Sequence, residues 1–150
     1  MRVFNGLEEF AGAVGEHLGY SEWYTVTQEQ VNTFADATDD HQWIHVDVEK
    51  AKQGPFGAPI AHGFLTLSLI PALAARTYRV ENLAMGINYG LNKVRFPSPV
   101  KVGSRIRGGG ELLELTDVPG GKQAVTRWTI EIEGETKPAC IAEFVTRMLG

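Results

Sequence analysis

Phe64-Leu65-Thr66-Leu67-Ser68-Leu69-Ile70-Pro71-Ala72-Leu73-Ala74-Ala75 is the stretch on which the fold turns. Its apolar side chains, Phe64, Leu65, Leu67, Leu69, Ile70, Leu73 and Ala74, point in every direction around a helix, which predicts an element buried on most sides. Pro71 removes one intrahelical hydrogen bond and is expected to kink the helix or end it early. Just upstream, Gly54-Pro55-Phe56-Gly57-Ala58-Pro59 is dense in residues that disfavour regular structure and reads as a loop. Downstream the hydrophobic period changes. Residues 84–96, 104–116, 123–133 and 139–148 read as long strands, separated by Pro97-Ser98-Pro99, Pro119-Gly120-Gly121 and Gly134-Glu135. A buried helix followed by a strand meander predicts an α+β fold, an antiparallel sheet packed on one long helix.

Working back toward the N-terminus, Trp23-Tyr24-Thr25-Val26 has the residues of a short strand. Thr27-Gln28-Glu29-Gln30 reads as a capping box opening a helix through Val31, Phe34 and Ala35 that runs out near Thr38. Residues 39–47 are expected to be irregular or a short helical turn, followed by a short helix over 48–53. At the N-terminus, Phe4, Leu7, Phe10, Ala11, Val14 and Leu18 recur at three- and four-residue steps, the stripe of an amphipathic helix that Gly19 would stop. That reading makes His17 a helix-surface residue.

The 150 residues fit a single globular domain, 1–150, with a full-sized core. The start of the chain lacks an apolar signal core, and residues 64–75 are too few and too interrupted to span a bilayer, so a cytoplasmic protein without membrane association is expected. Cys140 is the only cysteine, which excludes an intrachain disulfide or a cysteine zinc cluster. The net charge of −4 argues against general nucleic-acid binding. Yet half of the 14 Lys and Arg residues lie between Arg76 and Arg107, with Glu81 as the one acid among them. Such a local patch suits a compact polyanion; it also suits strand residues that guard sheet edges.

Chemistry concentrates in Asp39-Asp40-His41-Gln42-Trp43-Ile44-His45-Val46-Asp47 and in His62-Gly63. Asp40 and His45 are held in register by neither a strand nor an ideal helix, so the shape of the loop must bring them together. Together they can hold one water, one partner taking its proton and the other delivering a proton to the product. Gly63 lies in the first turn of the buried helix, where N–H groups lack internal partners, and its amide can donate to an oxygen gaining negative charge. An activated water, a proton and an oxyanion donor are the parts needed to add water across an α,β-unsaturated thioester. Each residue also has a structural reading. Asp and His are common loop anchors and caps, His62 can line the site or cap the helix, and Gly63 can simply allow close packing. His41, His45, Asp47 and His62 lack a recognised metal-ligand spacing, so no metal is expected. Ser68 has no base beside it and is assigned to packing.

These segments resemble the MaoC-like R-specific enoyl-CoA hydratases of the hot-dog fold. The family carries Asp-x-Asn-Pro-x-His, then His-Gly opening the central helix, then Phe-x-x-Pro-Val-x-x-Gly. Here the runs are Asp40-His41-Gln42-Trp43-Ile44-His45, His62-Gly63 and Phe96-Pro97-Ser98-Pro99-Val100-Lys101-Val102-Gly103. The chain is similar above all to the short, single-hot-dog actinobacterial members, some labelled NodN-like. The resemblance implies a curved antiparallel sheet wrapped around a long central helix, and a homodimer whose sheets join, with acyl-CoA near the interface. It implies that Asp40 and His45 bind the catalytic water and that Gly63 holds the thioester oxygen, giving an R-3-hydroxyacyl-CoA in fatty acid metabolism or, in reverse, the enoyl thioester. Asp40 is favoured as the base and His45 as its partner and proton donor. No cofactor is expected beyond the CoA thioester, or acyl carrier protein thioester, that is the substrate. Gln42 replaces the family Asn and Trp43 the family Pro, which makes both candidate substrate-binding residues together with His62. For the CoA phosphates the candidates are Lys93 and Arg95, on one face of a strand, with Arg105 and Arg107 on the next. A hot-dog thioesterase and a non-catalytic acyl-CoA binding module are the alternatives.

Overall fold

A computed structural model describes residues 1–150. The central helix is two pieces, α5 (Gly63–Ser68) and α6 (Ile70–Ala75), joined through Leu69, which keeps helical dihedrals. The Leu69 N–H reaches the Leu65 carbonyl and the Leu73 N–H reaches the Leu69 carbonyl, each at 3.0 Å. Pro71 offers no N–H to the Leu67 carbonyl, and the helix divides at Leu69, two residues before the proline.

Around this helix lies an antiparallel sheet of β6 (Arg105–Val118), β7 (Gly121–Ile132), β8 (Cys140–Leu149) and β5 (Met85–Arg95). The order is β2-β6-β7-β8-β5, with β2 (His17–Tyr20) and the short β3 (Tyr24–Thr25) both on the free side of β6. Register shifts in β5 and between Leu112 and Glu114 of β6 bend the long strands over the helix. Leu65, Ile70 and Leu73 meet Ile106, Trp128, Ile130 and Ala142 in the main core. Two of three successive glycines make room for Trp128. A Cβ at Gly108 or Gly110 would point at its indole, and one at Gly109, on the other face, would point at Tyr20 and His17.

The expected N-terminal helix does not form. Residues 1–20 fold as β1 (Arg2–Phe4), α1 (Leu7–Ala11) and β2, and they bury the same side chains, Phe4, Phe10 and Leu18, in a second core cluster. Gly6, Gly15 and Gly19 have φ of 89°, 89° and 124°, backbone states that no helix continues through. β1 pairs in parallel with β4 (Tyr78–Val80). His17 therefore sits on a strand, its ring tilted against Tyr20 at 4.6 Å and 37°.

Helix α2 (Gln28–Thr38) starts as predicted. Thr27 accepts from the Gln30 N–H at 3.2 Å, while the Gln30 side chain turns away to donate to the Tyr24 hydroxyl. The turn α3 (Trp43–Val46) and α4 (Val48–Lys52) follow, with Asp47 capping α4 by accepting from the Lys50 N–H at 3.1 Å. The central helix is less enclosed than its composition predicts. Phe64 is 68% exposed, and Ser68 is exposed rather than packed. This open side faces edge strand β5, whose Met85, Ile87, Tyr89 and Leu91 are also exposed.

Candidate active site

Four short segments converge beside the start of α5. Asp39 ends α2 in the left-handed region (φ 57°), and the N–H groups of Asp39 and Asp40 both reach the Ala35 carbonyl. The chain thereby turns sharply and leaves Asp40 exposed at the end of the helix. Its carboxylate accepts from the Gln42 N–H at 3.4 Å. His45 lies on the one-turn helix α3, buried, with Gln28 of α2 donating to its backbone carbonyl at 2.8 Å.

The extended segment before α5 supplies the rest. The Ile60 N–H donates to the Ile44 carbonyl, the Ala61 N–H to the Val100 carbonyl and the Val102 N–H to the Pro59 carbonyl. Pinned on both sides, the Ile60 carbonyl accepts from Nδ1 of His45 at 2.6 Å. A carbonyl has no hydrogen to give, so Nδ1 carries the proton and Nε2 is left with a free lone pair. Burial holds the His45 pKa below its ordinary 6.5, against the opposing pull of the Ile60 hydrogen bond, and the imidazole is neutral at rest.

Asp40, His45 and His62 each present a nitrogen or oxygen within 4.8 Å of the other two. The loop thus brings together the pair that spacing alone left open. His62 is 3% exposed and donates from Nε2 to the backbone carbonyl of Asp40 at 3.0 Å. Its side chain makes no capping hydrogen bond to α5, so the helix-cap reading fails. As a metal set the three are poorly arranged. The two rings stack at 3.8 Å and 22°, which directs their in-plane lone pairs side by side rather than toward one ion. His41 turns to Asp36 and Asp39 on the solvent side, and Asp47 is taken by its cap.

Gly63 begins α5 next to an apolar cavity of about 360 Å³ lined by Phe56, Ile60, Thr66, Phe96 and Val100 among others. A Cβ at Gly63 would lie 3.3 Å from the Phe96 ring, so glycine is what lets that ring cover the helix start. The Phe96-to-Gly103 run thus walls the site and, through Val100 and Val102, clamps residues 59–61.

The remaining candidates divide. Gln42 is exposed, immediately before α3. Trp43 lies two residues, about 200° of helical turn, from His45. Its ring packs on Gly54, where a Cβ would come within 3.0 Å of it, and lies under Lys50 at 4.7 Å. The structure gives Trp43 a packing role away from the Asp40-to-His45 pair. Lys93 and Arg95 are exposed on β5, but Arg105 and Arg107 are not on the next strand. β8 and β7 intervene, and the two arginines pair with Glu133 and Glu131 at 3.1 and 2.9 Å. Gln28 and the Ile60 carbonyl, which orient His45, escaped the sequence reading, and no local pattern marks either.

Residues 9–134 match the family described as MaoC like domain. The chain is 55% identical over 148 residues, 98% of each chain, to the 3-hydroxyacyl-thioester dehydratase Z of Mycobacterium tuberculosis. It is 48% identical to nodulation protein N of Rhizobium leguminosarum bv. viciae, covering 93% of this chain and 89% of that one. Among solved structures it is similar to the (R)-hydratase from A. caviae involved in PHA biosynthesis, with a TM-score of 0.72 and 25% identity over 89% of this chain and 95% of that one. Domain match, full-length identity and shared hot-dog architecture agree, and the chain belongs to the MaoC-like domain family.

Proposed function

We propose that this protein is a hydro-lyase that reversibly adds water to trans-2-enoyl thioesters, giving R-3-hydroxyacyl thioesters. The observation that carries the reading is the His45 imidazole, neutral, with Nδ1–H held by the Ile60 carbonyl and Nε2 bare beside Asp40. It occurs in a chain that aligns end to end with a 3-hydroxyacyl-thioester dehydratase. A neutral imidazole with a free Nε2 accepts a proton before it gives one. This favours His45 over Asp40 as the first base, the reverse of the order that the residues alone suggest.

Water sits between the Asp40 carboxylate and Nε2 of His45. Nε2 takes one proton as the water oxygen bonds to C3, and the π electrons move onto the thioester oxygen, where the Gly63 N–H donates. The imidazolium, stabilised by the Asp40 charge, then returns the proton to C2. One O–H bond is broken, the C3–O and C2–H bonds are formed, and the residues end as they began. Each positioned acid–base group is worth on the order of 10²–10⁴ in rate.

The acyl chain lies along the open side of the central helix, in the groove of about 280 Å³ formed by Leu67, Ser68, Pro71, Tyr89, Leu91 and Phe144. Edge strand β5 pairs with its counterpart in a second copy, burying Met85, Ile87, Tyr89 and Leu91 in an isologous homodimer. Lys93 and Arg95 on the same edge then meet the CoA phosphates, or a carrier-protein phosphopantetheine, in the cytoplasm.

Purified protein incubated with crotonyl-CoA tests this. Loss of enoyl absorbance without free thiol, and R-3-hydroxybutyryl-CoA on chiral analysis, is the expected result. Thiol release instead means a thioesterase, and binding without either reaction means a silent acyl-CoA module. Asp40→Asn and His45→Gln, with folding checked, should each abolish hydration; wild-type rates in both would overturn the residue assignment.

A further inference from the structure

His62 touches every part of the proposed machinery. It is the residue covalently before Gly63, and its own carbonyl accepts from the Leu65 and Thr66 N–H groups at 3.0 and 3.1 Å, which starts the helix that presents the Gly63 amide. Its ring stacks on His45 and leans on Phe34 of α2 at 4.8 Å. Its Nε2–H reaches across 22 residues to the backbone carbonyl of Asp40. No other side chain bonds that carbonyl, although the Asp40 carboxylate stands exposed at the end of α2, where little else locates it.

The ring also bears a cost that packing does not explain. The Asp40 carbonyl can only accept, so Nε2 carries the hydrogen and Nδ1 is left with a lone pair. That nitrogen is buried without any hydrogen-bond partner. An unsatisfied buried acceptor costs about 1–3 kcal/mol. A phenylalanine would fill the same space between His45 and Phe34 without that penalty, and what it would lack is the donor to Asp40. Features that cost stability and supply one specific contact collect at functional sites.

We propose that His62 is a positioning residue, which sets the Asp40 carboxylate against His45 Nε2 by holding the Asp40 backbone while its ring backs the His45 imidazole. It contacts no substrate, and it acts through the two residues it holds. The inference rests on the reading of Asp40 and His45 as the acid–base pair. Loss of the Asp40 tether lets the carboxylate drift by a fraction of an ångström to an ångström, a displacement that lowers turnover by up to roughly 10²-fold.

The test compares His62→Phe and His62→Gln in the crotonyl-CoA assay, each with a thermal melt and a pH–rate profile. His62→Phe keeps the ring and removes the donor. It should melt at or above the wild-type temperature while kcat falls by roughly 10- to 10²-fold with little change in KM. The acid limb of the profile should stay below pH 6.5, because burial, the main cause of the lowered His45 pKa, is kept by a ring of the same size. His62→Gln restores a side-chain N–H near the position of Nε2 and should recover most of kcat. Wild-type kcat in a folded His62→Phe overturns the inference, as does a folded His62→Gln no more active than His62→Phe. Should His62→Phe melt far below wild type, the role of the Nε2 donor is structural and the inference also fails. If Asp40→Asn and His45→Gln stay active in the same assay, the underlying reading falls instead.

Discussion

One methyl group added at Gly110 tests how tightly the sheet is built over the helix. An ideal Cβ there would lie 2.6 Å from one carbon of the Trp128 indole and 2.7 and 3.0 Å from two others. Trp128 is 1% exposed, its Nε1–H donates to the Thr126 hydroxyl at 3.1 Å, and its ring stacks with Tyr78 at 6.3 Å, so the indole has nowhere to go. To regain ordinary contact it would have to retreat by most of an ångström, toward Leu73 of α6 and the core. Overpacking of this kind costs about 1–3 kcal/mol. The loss of unfolded-state freedom on Gly→Ala returns about 0.4–1 kcal/mol. Gly110→Ala should therefore destabilise by roughly 1–2 kcal/mol, which for a chain of this size lowers Tm by roughly 2–8 °C. Gly109→Ala is the internal control. Its Cβ would meet Tyr20 at 2.8 Å, but Tyr20 is 55% exposed and free to swing outward, so its melt should stay close to wild type. Calorimetric melts of the two variants decide the matter. Equal Tm losses, or a larger one for Gly109→Ala, would refute the argument that face, and not glycine itself, sets the cost.

The acid limb of kcat/KM should fall below pH 6.5, because burial lowers the His45 pKa and catalysis needs the imidazole neutral; a limb above 6.5 in a pH–rate profile would contradict this. Stability should follow the same group. Above pH 6.5 His45 is neutral folded or unfolded and contributes nothing, whereas below it the unfolded chain takes up a proton that the folded chain resists, so melts should shift downward as pH falls from 6.5 through the folded pKa. Ile87→Lys, on the exposed β5 edge, should convert a dimer to a monomer in sedimentation velocity and reduce hydration with it; a monomeric wild type would refute the edge-pairing proposal. Trp43→Ala should cost roughly 1–3 kcal/mol in a denaturant melt, less than a fully buried Trp, and leave kcat near wild type. A large kcat loss at unchanged stability would instead put Trp43 in the substrate path.

What could be read in the chain beforehand, and what could not, follows from how far each interaction reaches. The Thr27 cap, the break near Pro71 and the four long strands depend on neighbours a few residues away, and pattern carries that information. The N-terminal stripe misleads because Phe4, Leu7, Phe10, Ala11, Val14 and Leu18 recur at three- and four-residue steps while Gly6, Gly15 and Gly19 take positive φ, and periodicity counts side chains without weighing backbone states. Strand neighbours in sequence are usually neighbours in space, which puts Arg107 beside Lys93 on pattern alone; here β7 and β8 lie between them. The site is harder still, since its decisive contacts close over long loops: Ile60 to His45, and His62 to Asp40. The three short motifs nevertheless pointed to it, and the hydrogen bonds show why they travel together. The Val100 carbonyl and the Val102 N–H grip residues 59–61 from one side, and the Ile44 carbonyl grips Ile60 from the other. Gly103, at φ 92°, turns the chain so that its N–H reaches the Val26 carbonyl at 2.7 Å, tying the clamp to the entry of α2. Without that clamp the Ile60 carbonyl could not be held at 2.6 Å from Nδ1 of His45, and the imidazole would lose the tautomer on which its basicity at Nε2 depends. The Phe96-to-Gly103 run is therefore tied to the proposed catalytic imidazole through the backbone it immobilises, which is why a pattern with no acid or base in it accompanies the other two motifs.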